Sequence, residues 1–174
     1  LRVGFNDSNT GTFSNGTFDM TGGTFNAPLS ELVVGRHDAG NGGAQGTLTW
    51  ELGTVTATSV VLADPSGNGT SATPTNTVGT LNMNGSAILE ATTIKLGDTS
   101  ADSGVGNFNF NGGEIRNIAG SGLSVENLLF NLGAADVDLT IEVGQTASFG
   151  AGAGFNRPDA GRVDFGLAVA GAGA

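Results

Sequence analysis

Apolar residues recur at alternate positions in short bursts along this chain, and the bursts themselves repeat. Four segments align: "GTFDMTGGTFNA" at 16–27, "GTLTWELGTVTA" at 46–57, "GTLNMNGSAILE" at 79–90 and "GNFNFNGGEIRN" at 106–117. The third and fifth positions of each are apolar: Phe18 and Met20, Leu48 and Trp50, Leu81 and Met83, Phe108 and Phe110. The residues between them, Asp19, Thr49, Asn82 and Asn109, are polar. This period of two predicts a half-buried strand. A Gly-containing corner follows, at Gly22-Gly23, Gly53, Gly85 and Gly112-Gly113, and then a second short strand with Phe25, Val55, Ile88 or Ile115 facing inward. Glycine suits a corner because it reaches positive φ without steric cost. The third copy carries one extra residue before Thr92, which turns either Ile88 or Leu89 inward and predicts a local bulge.

A third strand completes the unit. "ELVVGRHD", "SVVLADPS" and "TIKLGDTS" each place two apolar residues one apart: Leu32 and Val34, Val60 and Leu62, Ile94 and Leu96. Lys95 marks the outward face. The opening "LRVGFND" fits the same template, with Leu1 and Val3 inward and Arg2 outward, so the chain begins inside a unit. It also lacks an initiator Met, which suggests a processed or excised segment.

Three short strands recurring every 27 to 33 residues predict an all-β fold, a parallel β-solenoid in which each coil pairs with the coils above and below. The inward columns expected are Phe18, Leu48, Leu81, Phe108; Met20, Trp50, Met83, Phe110; and Phe25, Val55, Ile88, Ile115. A β-sandwich also has turn signals at short intervals. It does not require the same position to be apolar in every copy, which favours the solenoid. The surplus length of each coil falls after strand three, in "GRHDAGNGGAQ", "ADPSGNGTSATPTNTV" and "GDTSADSGV", so long loops should cluster along one edge. Residues 1–174 read as a single solenoid domain, with regular coils over 1–117 and less regular coils or an end region over 118–174. In the latter, "LTIEVG" resembles strand three, and "RVDFGLAVAGAGA" reads as a small-residue apolar strand.

Composition refines this picture. The chain has 31 Gly in 174 residues and only 13% charged residues, but 38% are hydrophobic and they recur regularly, so it should fold. Sixteen acidic against six basic residues give a formal charge of −10, the wrong sign for a phosphate backbone, which argues against a nucleic-acid partner. The absence of Cys excludes disulfides and thiolate metal sites. No stretch approaches the roughly 18 apolar residues of a membrane span.

At the core pattern seen in "GTFDMTGGTF" and "NFNFNGGEI", over roughly residues 10–117, the chain resembles the short β-strand repeats of bacterial autotransporter passengers and related exported β-helix surface proteins. That resemblance implies a right-handed β-helix outside the cell or at its surface, serving as a stalk, adhesin or fibre. It carries no catalytic residues.

The candidate chemistry is sparse. His37, the single His, lies in "GRHDAG" and reads as a solvated loop residue; no nucleophile elbow accompanies it. Lyase chemistry on a β-helix needs a Lys, Arg or Tyr base with clustered carboxylates, and there is no Tyr and one Lys. The loops "RHDAGN", "ADPSGN" and "GDTSADSG" offer Asp38, Asp64, Asp98 and Asp102 as candidate ligands for calcium, a hard cation that takes oxygen donors on a tightly turning backbone. No other cofactor is implied. Outward Thr and Asn columns satisfy the solenoid faces by hydrogen bonding across strands, with a glycan as the partner they would suit. The sequence therefore points to a non-enzymatic structural or adhesive element of an exported bacterial surface protein or extracellular filament. Bare strands at both ends would let copies, or neighbouring segments of a longer chain, stack end to end. The alternative is a carbohydrate-binding or carbohydrate-cleaving β-helix.

Overall fold

A computed structural model describes residues 1–8, 11–38, 42–65, 77–97, 104–156 and 163–168. Their twelve strands form one continuous parallel sheet wound into a β-solenoid of about five turns. The N-terminal strands are β1 (Arg2–Asn6), β2 (Phe13–Thr24) and β3 (Ala27–His37). The long β4 (Gly43–Asp64), β5 (Thr77–Leu96) and β6 (Val105–Asn117) make the middle, and β7 (Leu123–Glu126), β8 (Leu129–Leu132) and β9 (Val137–Glu142) follow. The last coil holds β10 (Ala147–Phe149), β11 (Gly154–Asn156) and β12 (Val163–Ala168).

The corners differ from the expected pattern of short separate strands. β4 covers all three sides of its coil in one strand of 22 residues, because coil-to-coil hydrogen bonding continues around the corners. Positive φ at the corner glycines, +75° at Gly22 and +102° at Gly53, makes this bend compatible with unbroken pairing.

On the first side the predicted columns hold. Phe18, Leu48, Leu81 and Phe108 stack in register, as do Met20, Trp50, Met83 and Phe110. The first column continues through Phe130 to Phe155. The second side departs from expectation, since its inward column is Ala27, Val55, Leu89 and Ile115, extended by Leu139 and Phe165. Register shifts at the corners, between Met20 and Thr24, Trp50 and Leu52, and Gly85 and Ile88, absorb the extra residues. They move Leu89 inward in place of Ile88, while Phe25 packs across the corner on Phe18, ring centroids 5.0 Å apart.

The third side stacks Leu32, Val60 and Ile94 as predicted and ends on Phe149. Leu1 aligns with this column but stays 40% exposed, because β1 has a neighbour on one side only. Leu96 is half-buried rather than buried. "LTIE" belongs to β9, which pairs with the second-side part of β6; it is a second strand, not a third. Alternation marks a half-buried strand without saying which of three sides it lies on. The C-terminal coils are also tighter, with offsets of 22 and 25 residues along the Asn109, Asn131, Asn156 column. "VDFGLA" forms a strand as expected, β12, while Arg162 and the residues after Ala168 lie outside the described residues.

The Gly that opens each repeat has a role that alternation does not reveal. Gly16, Gly46, Gly79 and Gly106 form a column of their own. A Cβ on Gly79 would lie 2.1 Å from the Val34 carbonyl oxygen and 2.5 Å from the Ala63 nitrogen, and one on Gly46 would lie 2.2 Å from the Val3 carbonyl oxygen. The end of the third strand passes the start of the next coil backbone against backbone, and only a residue without a side chain permits it.

Candidate functional site

Two regions bring functional side chains together: a groove on the outer face of the third side, and the two open ends. The groove follows from the way the third strands stack. Its outward column runs Arg2, Val33, Val61, Lys95, Glu126. Val33 and Val61 are buried although they face away from the core, where alternation predicts solvent. Around Val61 a groove of about 470 Å³ is lined by Glu31, Arg36, Asp64, Lys95 and Glu126, with Ser59 and Asn127 adding hydrogen-bonding groups.

Arg36 organises this face. Its guanidinium donates to Asp38 and lies 3.3 Å from Asp64, and the Asp38 hydrogen bond raises its pKa further above the ordinary guanidinium value. Two of the four candidate calcium ligands, Asp38 and Asp64, are therefore drawn together around a cation that the chain itself supplies. Asp98 and Asp102 lie outside the described residues. Among the described residues no three metal-ligating side chains are grouped.

Glu31, Asp64 and Glu126 come from three different coils and line one groove. The groove presents mixed charges and hydrogen-bonding groups over an apolar floor at Val61.

His37 corrects the sequence reading. It is the last residue of β3, aligned with Asn6, and is 0% exposed, with neither ring nitrogen hydrogen-bonded. "GRHDAG" looked like a loop because Gly35 and the polar run suggested a break, whereas Gly35, at φ +74°, keeps the strand going round a corner and returns the His inward. Asn6 beside it is a buried bracket whose Nδ2 donates to the Thr12 and Gly43 carbonyls at 2.6 and 3.0 Å.

The ends are built from the same columns as the middle. Among the described residues β1, β2 and the first residues of β3 pair on one side only, with Phe13 56% exposed and Phe18, Met20 and Phe25 half-buried. In the last described coil Phe155 packs against both Phe149 and Phe165, with Phe165 70% exposed. Along the outer face an amide column climbs between them: Asn82 Nδ2 donates to Thr49 Oγ1 at 3.0 Å, Asn109 to Asn82 at 2.7 Å, Asn131 to Asn109 at 3.3 Å and Asn156 to Asn131 at 3.2 Å. Every donor points toward the N-terminal end.

A second outward column is electrostatically adverse. Glu114, Asp138 and Asp164 stack directly on one another, and Arg116 lies beside the first of them, its Nε 3.5 Å from Glu114 and 3.8 Å from Glu90. At these lengths the contacts are ion pairs rather than hydrogen bonds, consistent with an Nε that has no hydrogen-bond acceptor. Like charges directly opposite each other destabilise a sheet. Asp138→Asn should therefore stabilise the protein by about 0.5 kcal/mol at low salt, a gain that shrinks as ionic strength rises. Urea unfolding at two salt concentrations measures it.

Comparison of the chain with protein-family models, with curated proteins and with solved structures finds no match. Among the described residues no helix is long and apolar enough to cross a membrane.

Proposed function

We propose that this chain is a non-enzymatic structural or adhesive element of an exported bacterial surface protein or extracellular filament, in which stacked coils supply stiff length and the ends supply continuation. The observation that carries the reading is the unbroken stacking of like on like in one parallel sheet. The column Phe18, Leu48, Leu81, Phe108, Phe130, Phe155 runs through six successive coils in register, so each coil is a template for the next and length is added by repetition. The absence of Cys fits this role, since coil-to-coil hydrogen bonds and packed columns hold the fold without disulfides.

Sedimentation velocity across a wide concentration range, followed by electron microscopy, tests the reading. End-to-end assembly predicts oligomers growing with concentration and an axial repeat near 29 Å, six coil spacings of about 4.8 Å. Monomeric particles under all conditions would overturn it. The groove over Val61 favours glycan binding as a second reading, which a screen against a panel of immobilised oligosaccharides tests. Its loss in Lys95→Ala would place the ligand in the groove.

A further inference from the structure

The groove over Val61 combines features that stacking alone does not require. Its floor is apolar, since Val61 and its neighbour Val33 point away from the core and are nonetheless buried. Its wall holds a cation without a partner. Lys95 stacks on Val61 from the next coil and is half-buried, yet among the described residues it forms no ion pair and no hydrogen bond, even with Glu126, its neighbour in the column. Arg36, the other cation here, is engaged by Asp38 and Asp64. Backbone strain gathers at the same place. Ala63, at φ +51°, and Asn127, at φ +52°, are the non-glycine residues with positive φ among the described residues. Ala63 falls opposite Gly35 and leads into Asp64, and Asn127 lines the groove beside Glu126. A left-handed bend is costly for a residue with a Cβ, most of all for Ala, and strain of this kind clusters where ligands are clamped.

Volume and chemistry together select the ligand. About 470 Å³ is the size of a small-molecule pocket. The carboxylates of Glu31 and Glu126 only accept hydrogen bonds when ionised, while Ser59 and Asn127 both donate and accept. A ligand that satisfies this lining is rich in hydroxyl donors, as a sugar is. The charge selects further. With Asp64 held by Arg36, the group left unanswered beside the apolar floor is the Lys95 ammonium. A half-buried charge gains most from a partner of opposite sign, so the sugar that fits best carries an anion of its own.

We infer that the groove binds an acidic sugar of a glycan, whose carboxylate pairs with Lys95 and whose hydroxyls donate to Glu31 and Glu126. This rests on the glycan reading of the groove above. Lys95 is the single lysine of the chain, so its amine can be followed directly. Reductive methylation with isotopically labelled formaldehyde keeps the charge and gives Lys95 its own magnetic-resonance signal. The probes are oligomers of galacturonic, glucuronic and mannuronic acid, each beside its uncharged methyl ester, with neutral oligosaccharides for comparison. One of the acids should shift the Lys95 signal and bind roughly tenfold or more tightly than its ester, with affinity falling as salt is added. Lys95→Gln should weaken binding of that acid by roughly tenfold or more and leave the ester unaffected, whereas Lys95→Arg should retain most of it. Circular dichroism checks the fold of each variant. If acids and esters bind equally, or Lys95→Gln binds the acid as the parent does, the charge pairing is wrong while the glycan reading stands. If no acid, ester or neutral oligosaccharide binds, the glycan reading falls with it. An acid that binds without moving the Lys95 signal sits elsewhere and overturns the site.

Discussion

Gly79→Ala is expected to lose at least 3 kcal/mol of stability, enough to leave much of a marginally stable protein unfolded. The added Cβ would meet the Val34 carbonyl oxygen at 2.1 Å and the Ala63 nitrogen at 2.5 Å. Both are backbone atoms between buried residues, Val34 and Ala63 having no exposed surface, so neither can turn aside as a flexible side chain would. Relief requires the third strand of one coil to separate from the first strand of the next, which breaks the stacking of several columns at once. Gly22→Ala is the matching control. It is a corner glycine with φ +75°, but nothing lies within 4 Å of its added Cβ. It should cost about 1 kcal/mol, the price of a left-handed conformation alone. Urea unfolding followed by the emission of the single Trp measures both, and similar losses for the two would refute the backbone-contact account.

Trp50→Ala is expected to cost about 3–5 kcal/mol, because the indole is fully buried between Met20 and Met83 and its removal leaves a cavity in the central column. Trp50→Phe should cost far less. The indole Nε1 is buried without an acceptor, so the native residue already carries the penalty of an unpaired donor. That penalty is about 1–3 kcal/mol, and a Phe would remove it while keeping most of the apolar contact. The column elsewhere holds Phe110 at the same position. Thermal melting by circular dichroism compares the variants, since fluorescence is lost with the Trp. A Phe variant as unstable as the Ala variant would mean that the N–H is satisfied in solution.

Acid should weaken the Asp19 contribution in a defined window. A carboxyl whose folded pKa is depressed stabilises the fold above its unfolded value, near pH 4, and loses that contribution as pH falls through the lower folded value. Asp19 is exposed, so the effect on stability is small.

What the sequence determined by itself was the repeat and everything that follows from period two. Phe18, Leu48, Leu81 and Phe108, with Met20, Trp50, Met83 and Phe110, were legible because stacking like on like forces the same position to be apolar in each copy. The bulge near Ile88 was legible too, as one residue too many, although the choice of Leu89 was not. That choice depends on where around the corner the extra residue is accommodated, which is a matter of coil-to-coil hydrogen bonding. Side assignment for "LTIE" failed for a related reason: three sides share one alternation, and only pairing with β6 distinguishes them.

The tertiary structure alone decided the rest, through contacts between residues about a coil apart. It brought Gly46 and Gly79 against the third strands, drew Asp38 and Asp64 to Arg36, and turned His37 inward at the Gly35 corner. It also stacked Glu114 on Asp138 and Asp164, and set Asp19 and Asn156 at opposite ends of one amide column. None of these pairings leaves a mark in local hydrophobic periodicity, because each depends on the axial register and corner geometry that only the wound chain fixes.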